Sequence, residues 1–186
     1  MTSDIRVFAF CGSLRSGSFN RMVLRAAEEL APDGMSFESC DIGKIPLYNE
    51  DVRQQGFPAS VEAMREGIRS AHAILFVTPE YNYSLPGVLK NAIDWASRPP
   101  DQPFSDKPAA IMGATPSMLG TARAQYHLRQ VCVYLNMFPV NQPEVLIAGV
   151  NQKFDADGRL TDEPTRKVIA QLMKALADWT ERLKDR

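Results

Sequence analysis

The run Ile5-Arg6-Val7-Phe8-Ala9-Phe10-Cys11 passes directly into Gly12-Ser13-Leu14-Arg15-Ser16-Gly17-Ser18-Phe19-Asn20. The first half is mostly apolar with little alternation, which predicts a strand buried on both faces, as in a parallel sheet. The second half is too long and too polar for a plain turn, which takes about two to five residues. Gly12 and Gly17 let the backbone approach a ligand closely. Ser13, Ser16 and Ser18 offer hydroxyls, Asn20 an amide, and Arg15 a positive fork suited to phosphate. Helical spacing begins at Asn20 with Met22, Val23, Ala26, Ala27 and Leu30, so a helix N-terminus points its amides at the same place. Strand, polar loop and helix in that order predict an α/β unit with an anion at the loop. Taken alone, a serine-rich turn that only caps a helix would read the same.

Working outward, the alternation repeats. Pro32-Asp33-Gly34 ends the first helix. Residues 35–42 form a second, more amphipathic strand, and 43–58 a long connection. A helix over 58–71 carries Val61, Met64 and Ile68 on one face. Ala73-Ile74-Leu75-Phe76-Val77 is the strongest strand, and 78–84 a loop. A helix over 86–97 follows, with Ser84 as candidate cap and Pro86 in its first turn. Residues 108–114 make a fourth strand, 115–120 a loop and 121–136 a long helix. A fifth strand over 140–147 is broken by Pro143. The terminal helix over 161–184 turns Val168, Leu172, Leu176, Trp179 and Leu183 inward. Five alternations of strand and helix imply βαβ crossovers and a doubly wound parallel sheet with helices on both faces.

Bulk composition narrows the function classes. At 186 residues the chain suits one domain over 1–186 and buries on the order of 70% of its unfolded surface, so no metal or disulfide staple is required. Its 21 basic and 22 acidic residues leave no excess that would attract nucleic acid. The cysteines, Cys11, Cys40 and Cys132, are scattered and form no CxxC, which suits reduced thiols in the cytoplasm. MTSDIRVFAF has no basic region ahead of a long apolar core, and no apolar run reaches membrane-spanning length.

In an open parallel sheet, ligands bind beyond the carboxyl ends of the strands. Three loops leave such ends: 12–20, 78–84 and 115–120. The dipole of one helix contributes about 0.3–1 kcal/mol, and up to ~2 when partly buried. A micromolar ligand needs roughly 8 kcal/mol. A large apolar group must therefore bind elsewhere. Pro79-Glu80-Tyr81-Asn82-Tyr83-Ser84 supplies a place for it, since Tyr81 and Tyr83 can flank a flat ring and Asn82 can bond its polar edge. Glu80 suits capping or backbone orientation. Thr115 and Ser117 can close the other side. Neither GxxxxGK[ST] nor GxGxxG occurs, which disfavours an NTPase or a dinucleotide-type site. No cluster of metal ligands and no catalytic triad stands out. A phosphate at one end and a flat polar ring at the other describe FMN.

The segments GSLRSGSFN after the first strand, PEYNYSLPGVLKNAIDW after the third and ARAQYHLRQ after the fourth resemble the NADPH-dependent FMN reductase family, above all its bacterial chromate and quinone reductases. The resemblance covers nearly the whole chain, in the right order. It implies a flavodoxin-like fold with strand order 2-1-3-4-5 and non-covalent FMN. It places the phosphate and ribityl against Ser13, Arg15, Ser18, Phe19 and Asn20. It places the ring against Glu80, Tyr81, Asn82 and Tyr83, with Thr115 nearby. It implies NAD(P)H as hydride donor and ping-pong reduction of quinones, with chromate, ferric complexes and azo compounds as further acceptors. It also implies a homo-oligomer, dimer or tetramer. No residue of the chain is assigned as acid, base or nucleophile, because the flavin carries the chemistry. The family often has Gly-Gly ahead of the fourth helix, where this chain has Gly120-Thr121, which would add a side chain beside the flavin edge. Arg123, Tyr126 and Glu144, with Tyr83, are candidates for a polar network at a subunit interface. The alternative function is a flavodoxin-type electron carrier serving a protein partner. Such carriers are usually strongly acidic, unlike this balanced chain.

Overall fold

The computed structural model describes residues 4–184; residues 1–3, which open the N-terminal stretch read above, and 185–186 lie outside the described residues. The strands are β1 (Ile5–Cys11), β2 (Met35–Ser39), β3 (Ala73–Val77), β4 (Pro108–Ala114), β5 (Phe138–Pro139) and β6 (Val145–Ile147). The helices are α1 (Phe19–Leu30), α2 (Glu50–Arg53), α3 (Ala59–Ser70), α4 (Gly87–Ala96), α5 (Ala122–Tyr134) and α6 (Glu163–Lys184). Every pairing is parallel, in the order β2-β1-β3-β4-β5, with β6 also on β4. This is the flavodoxin-like order expected from the sequence.

The strands look continuous in hydrophobicity because each feeds two cores. Val7 and Ala9 of β1, Leu75 and Val77 of β3, and Ala110 and Met112 of β4 pack with α1 and α6. Their neighbours Phe8, Phe10, Ile74, Phe76, Ala109 and Ile111 pack on the other face with α3, α4 and α5. Successive side chains point to opposite faces of a strand, so a sheet covered on both sides needs apolar residues at every position. On the second face the Phe10 and Phe76 rings stack 5.2 Å apart, and Phe8 meets Phe10 edge-on.

Four expectations are corrected. The fifth strand is two short pieces. Phe138 and Pro139 pair with the start of β4, and Val145 to Ile147 pair with its end. Pro139 and Pro143 bring no amide donors to a ladder, which breaks the run between them. Ser84 does not cap α4; Pro86 holds that position without a side-chain bond. The second strand stops at Ser39, short of 42, and a helical turn at Ile42–Lys44 and the short α2 occupy part of the connection that follows. In α6 the innermost seam is Ile169, Leu172, Met173 and Leu176, with Val168 and Trp179 flanking it. Among the described residues no helix is long and apolar enough to cross a membrane.

Candidate functional site

The site lies where adjacent strands β1, β3 and β4 release their loops. Gly12 donates its amide to the Val77 carbonyl (2.8 Å), and Thr78 donates to Met112 (3.0 Å), so the first turns of these loops are still stitched to the sheet. A side chain at Gly12 would press to 2.8 Å from the Thr78 hydroxyl and 3.2 Å from Pro79. Glycine is thus what lets the first and second loops touch.

In the first loop Ser13, Ser18 and Asn20 turn inward, while Leu14, Arg15 and Ser16 are exposed. Ser18 is the N-cap of α1, accepting from the Arg21 amide at 3.3 Å. Ser13 is buried and accepts from the Arg15 amide at 3.4 Å. Asn20 makes a two-point clip to the end of β4: Nδ2 donates to the Ala114 carbonyl and Oδ1 accepts from the Ala114 amide, both at 2.9 Å. Phe19 packs on Phe154, with ring centroids 5.8 Å apart. The backbone and Arg15 face outward. The amides of residues 16–20 find no acceptor among the described residues, and the exposed Arg15 guanidinium has no ion-pair partner there. The first turn of α1 holds no acidic residue that would compete for an anion. Free amides, two buried hydroxyls and an unpaired guanidinium could together cradle a phosphate.

The second loop is built the opposite way. Tyr81 and Ser84 exchange backbone hydrogen bonds at 2.9 and 3.0 Å. Asn82 and Tyr83 between them both have positive φ, 49° and 68°. Two left-handed central residues are the pattern of a type I′ turn, which favours Asn-Gly. An aromatic residue in the second place is an outlier, costing about 1–3 kcal/mol, and such strain gathers at functional sites. Tyr81 and Tyr83 stay 48% and 68% exposed, so their rings are available to a ligand. Glu80 takes the structural role. Its carboxylate accepts from the amides of Arg123 (3.0 Å) and Ala124 (3.2 Å), capping α5, and pairs with the Arg123 guanidinium. That guanidinium lies 3.6 Å from the centre of the Tyr83 ring.

The third loop starts at Thr115, whose amide donates to Ile147 (3.0 Å) and whose hydroxyl meets Ser117 Oγ (3.3 Å). Met118, 93% exposed, and Leu119 form an apolar rim that the sequence reading did not single out. Thr121 corrects an expectation. It is fully buried, turned under the loop toward Gly113, where a side chain would meet its hydroxyl at 2.4 Å. Its φ of 67° explains a glycine preference there. The hydroxyl accepts from Gln125 Nε2 at 3.1 Å, and the same amide donates to Val145. Thr121 therefore adds nothing to the open face.

The remaining polar candidates separate. Tyr126 bonds Glu144, which pushes the tyrosine hydroxyl above its ordinary value. Lys90 and Asp94 pair at 2.7 Å along α4. Burial raises all three thiols, Cys40 to about 11 and Cys132 to about 12, so none is a nucleophile at neutral pH.

The donor set fits FMN: a cradle for its phosphate on one loop, and open aromatic faces for its ring on the next. A sequence model of the NADPH-dependent FMN reductase family matches residues 5–152. An NAD(P)H-dependent FMN reductase of Pseudomonas aeruginosa is 59% identical over 184 residues, covering 99% of this chain and all of that one. A quinone reductase of Escherichia coli is 44% identical over 187 residues, with 99% and 100% coverage. Among solved structures, the flavoenzyme NAD(P)H:(acceptor) oxidoreductase FerB of Paracoccus denitrificans superimposes with a TM-score of 0.88 at 37% identity, over 96% of this chain and 98% of that one. With strand order, loop cradle and full-length similarity in agreement, this chain belongs to the NADPH-dependent FMN reductase family.

Proposed function

We propose that the chain is an FMN-dependent NAD(P)H oxidoreductase that reduces quinones, carried as one unit by residues 1–186. The observation that supports it most directly is the pairing of an amide-and-arginine cradle with an adjacent exposed tyrosine hairpin. Bound FMN would supply the hydride-accepting ring. The chain's own residues hold and orient it. Ser13 and Ser18 would donate their hydroxyl protons to the phosphate and ribityl, with Arg15 neutralising the charge. Phe19 and Asn20 would contribute through backbone amides, because their side chains are engaged elsewhere. Tyr81, Asn82, Tyr83 and the backbone at Glu80 would border the ring, with Thr115 opposite.

In this reading nicotinamide and acceptor take turns on the same open face, which is ping-pong order. Chromate, ferric complexes and azo compounds are further acceptors for that face. The enzyme works in the cytoplasm as a homo-oligomer, and Arg123, Tyr126 and Glu144 lie on the surface where copies would meet. The near-balanced charge favours direct turnover over service to a protein partner. The test is a visible spectrum before and after anaerobic NADPH. A yellow protein that bleaches and recovers on adding quinone is the expected result. A yellow protein that NADPH cannot bleach would favour the electron carrier. A colourless protein that takes up no FMN would overturn the cofactor.

A further inference from the structure

The tyrosine hairpin is strained, exposed and short, so something must hold it. Its internal ties are the two backbone bonds between Tyr81 and Ser84. Outside the hairpin, α5 supplies two more. Arg123 lies on the face of the Tyr83 ring at 3.6 Å, and His127 Nδ1 meets Ser84 Oγ at 3.1 Å. Arg123 and His127 are four residues apart and so share one face of the helix. Glu80 completes the attachment from the other side, by capping α5 and pairing with Arg123. Its carboxyl is only 8% exposed, so that end of the pair is shielded from solvent, while the Arg123 side chain is one-third exposed.

We infer that Arg123 is a positioning residue: bridging Glu80 and Tyr83, it clamps the Tyr81–Ser84 hairpin in the conformation that receives the flavin ring. This rests on the proposed function and deepens it. A guanidinium suits the task because it is planar, can pair with a carboxylate along its edge and can stack on a ring with its face. A lysine at the same place keeps the charge for Glu80 and loses the flat stack. His127 is the weaker second tie, a single hydrogen bond at an exposed position.

The experiment compares wild type, Arg123→Met, Arg123→Lys and His127→Ala by two readouts. Hydrogen exchange of the apoprotein reports on the amides of Tyr81 and Ser84. Titration with FMN, with the visible circular dichroism of the bound flavin, reports ring placement. In Arg123→Met the two amides exchange faster, FMN binds ~10-fold more weakly and the visible dichroism changes. Arg123→Lys falls between this and wild type, and His127→Ala shows a smaller change in the same direction. A residue that only supports the helix would lower the melting temperature and leave flavin dichroism untouched. Unchanged exchange, or FMN affinity within twofold of wild type, overturns the clamp while FMN binding by the wild type stands. A wild type that takes up no FMN overturns the proposed function itself, and the clamp's role in flavin binding with it.

Discussion

The two halves of the site solve opposite problems. In the 12–20 loop Ser13, Ser18 and Asn20 turn inward as caps and clips, and the backbone amides and the Arg15 side chain are left open to the proposed phosphate. In the 80–84 hairpin the backbone is closed on itself, and the tyrosine side chains are left exposed to receive the proposed ring. A phosphate is small and charged, so fixed amides with a few side-chain donors can hold it. A flat ring needs area, which only large side chains supply. Substitutions should therefore separate stability from affinity differently in the two loops.

The sharpest break is Asn20→Leu. It leaves the buried amide and carbonyl of Ala114 without partners, which costs about 2–5 kcal/mol. At this size a kcal/mol is worth about 2–4 °C, so calorimetry of the apoprotein should show a melting temperature lower by roughly 5–15 °C. An unchanged melting temperature would mean the clip contributes nothing. Arg15→Ala comes next and acts on the ligand alone. Loss of a charge-assisted bond weakens FMN ~10–100-fold in a fluorescence titration, and the exposed position leaves apoprotein melting unmoved. A matching fall in stability would erase the contrast between Arg15 and the inward residues.

Tyr81→Ala tests the hairpin. Removing one exposed ring should raise the FMN dissociation constant about three- to tenfold, the worth of one aromatic contact, with little change in melting. The smallest effect is a control at the far end of β1. His72 Nδ1 accepts from the Arg6 amide at 3.0 Å, which requires the unprotonated ring. Burial, and then the nearby Arg6, depress its pKa below the usual 6.5. The unfolded chain therefore takes up the proton first as pH falls. Stability from this group is full above about pH 6.5 and is lost as pH falls through the lower folded value. His72→Gln should flatten that part of the stability–pH curve and leave FMN affinity at neutral pH unaltered.

The sequence was legible where one residue type has one use. The apolar runs 5–11, 73–77 and 108–114 read as buried strands because both faces of the sheet are covered. The three candidate ligand loops follow from where those strands end. Single side chains with several uses were less legible. Asn20 reads equally well as a phosphate donor or a helix cap, and its actual partner is Ala114, far along the chain. Glu80 and Arg123 are 43 residues apart, so no local spacing announces their pair. Thr121 reads as an intrusion on the open face until Gly113 is seen to make room beneath it. The broken fifth strand was signalled by Pro143, while its split across the two ends of β4 depended on register.

That split has a consequence for self-association. β5 covers the start of β4 and β6 its end, and prolines punctuate the stretch between them. The opposite edge, β2, is only five residues long and shows Ser36, Glu38 and Ser39 to solvent. Neither edge presents the long, flat, apolar row of free backbone groups onto which another strand can add. Copies of this chain are thereby steered away from edge-to-edge β-stacking. Any contact between copies would fall instead to helix surfaces such as α5, where Val133 and Tyr134 stand about four-fifths exposed.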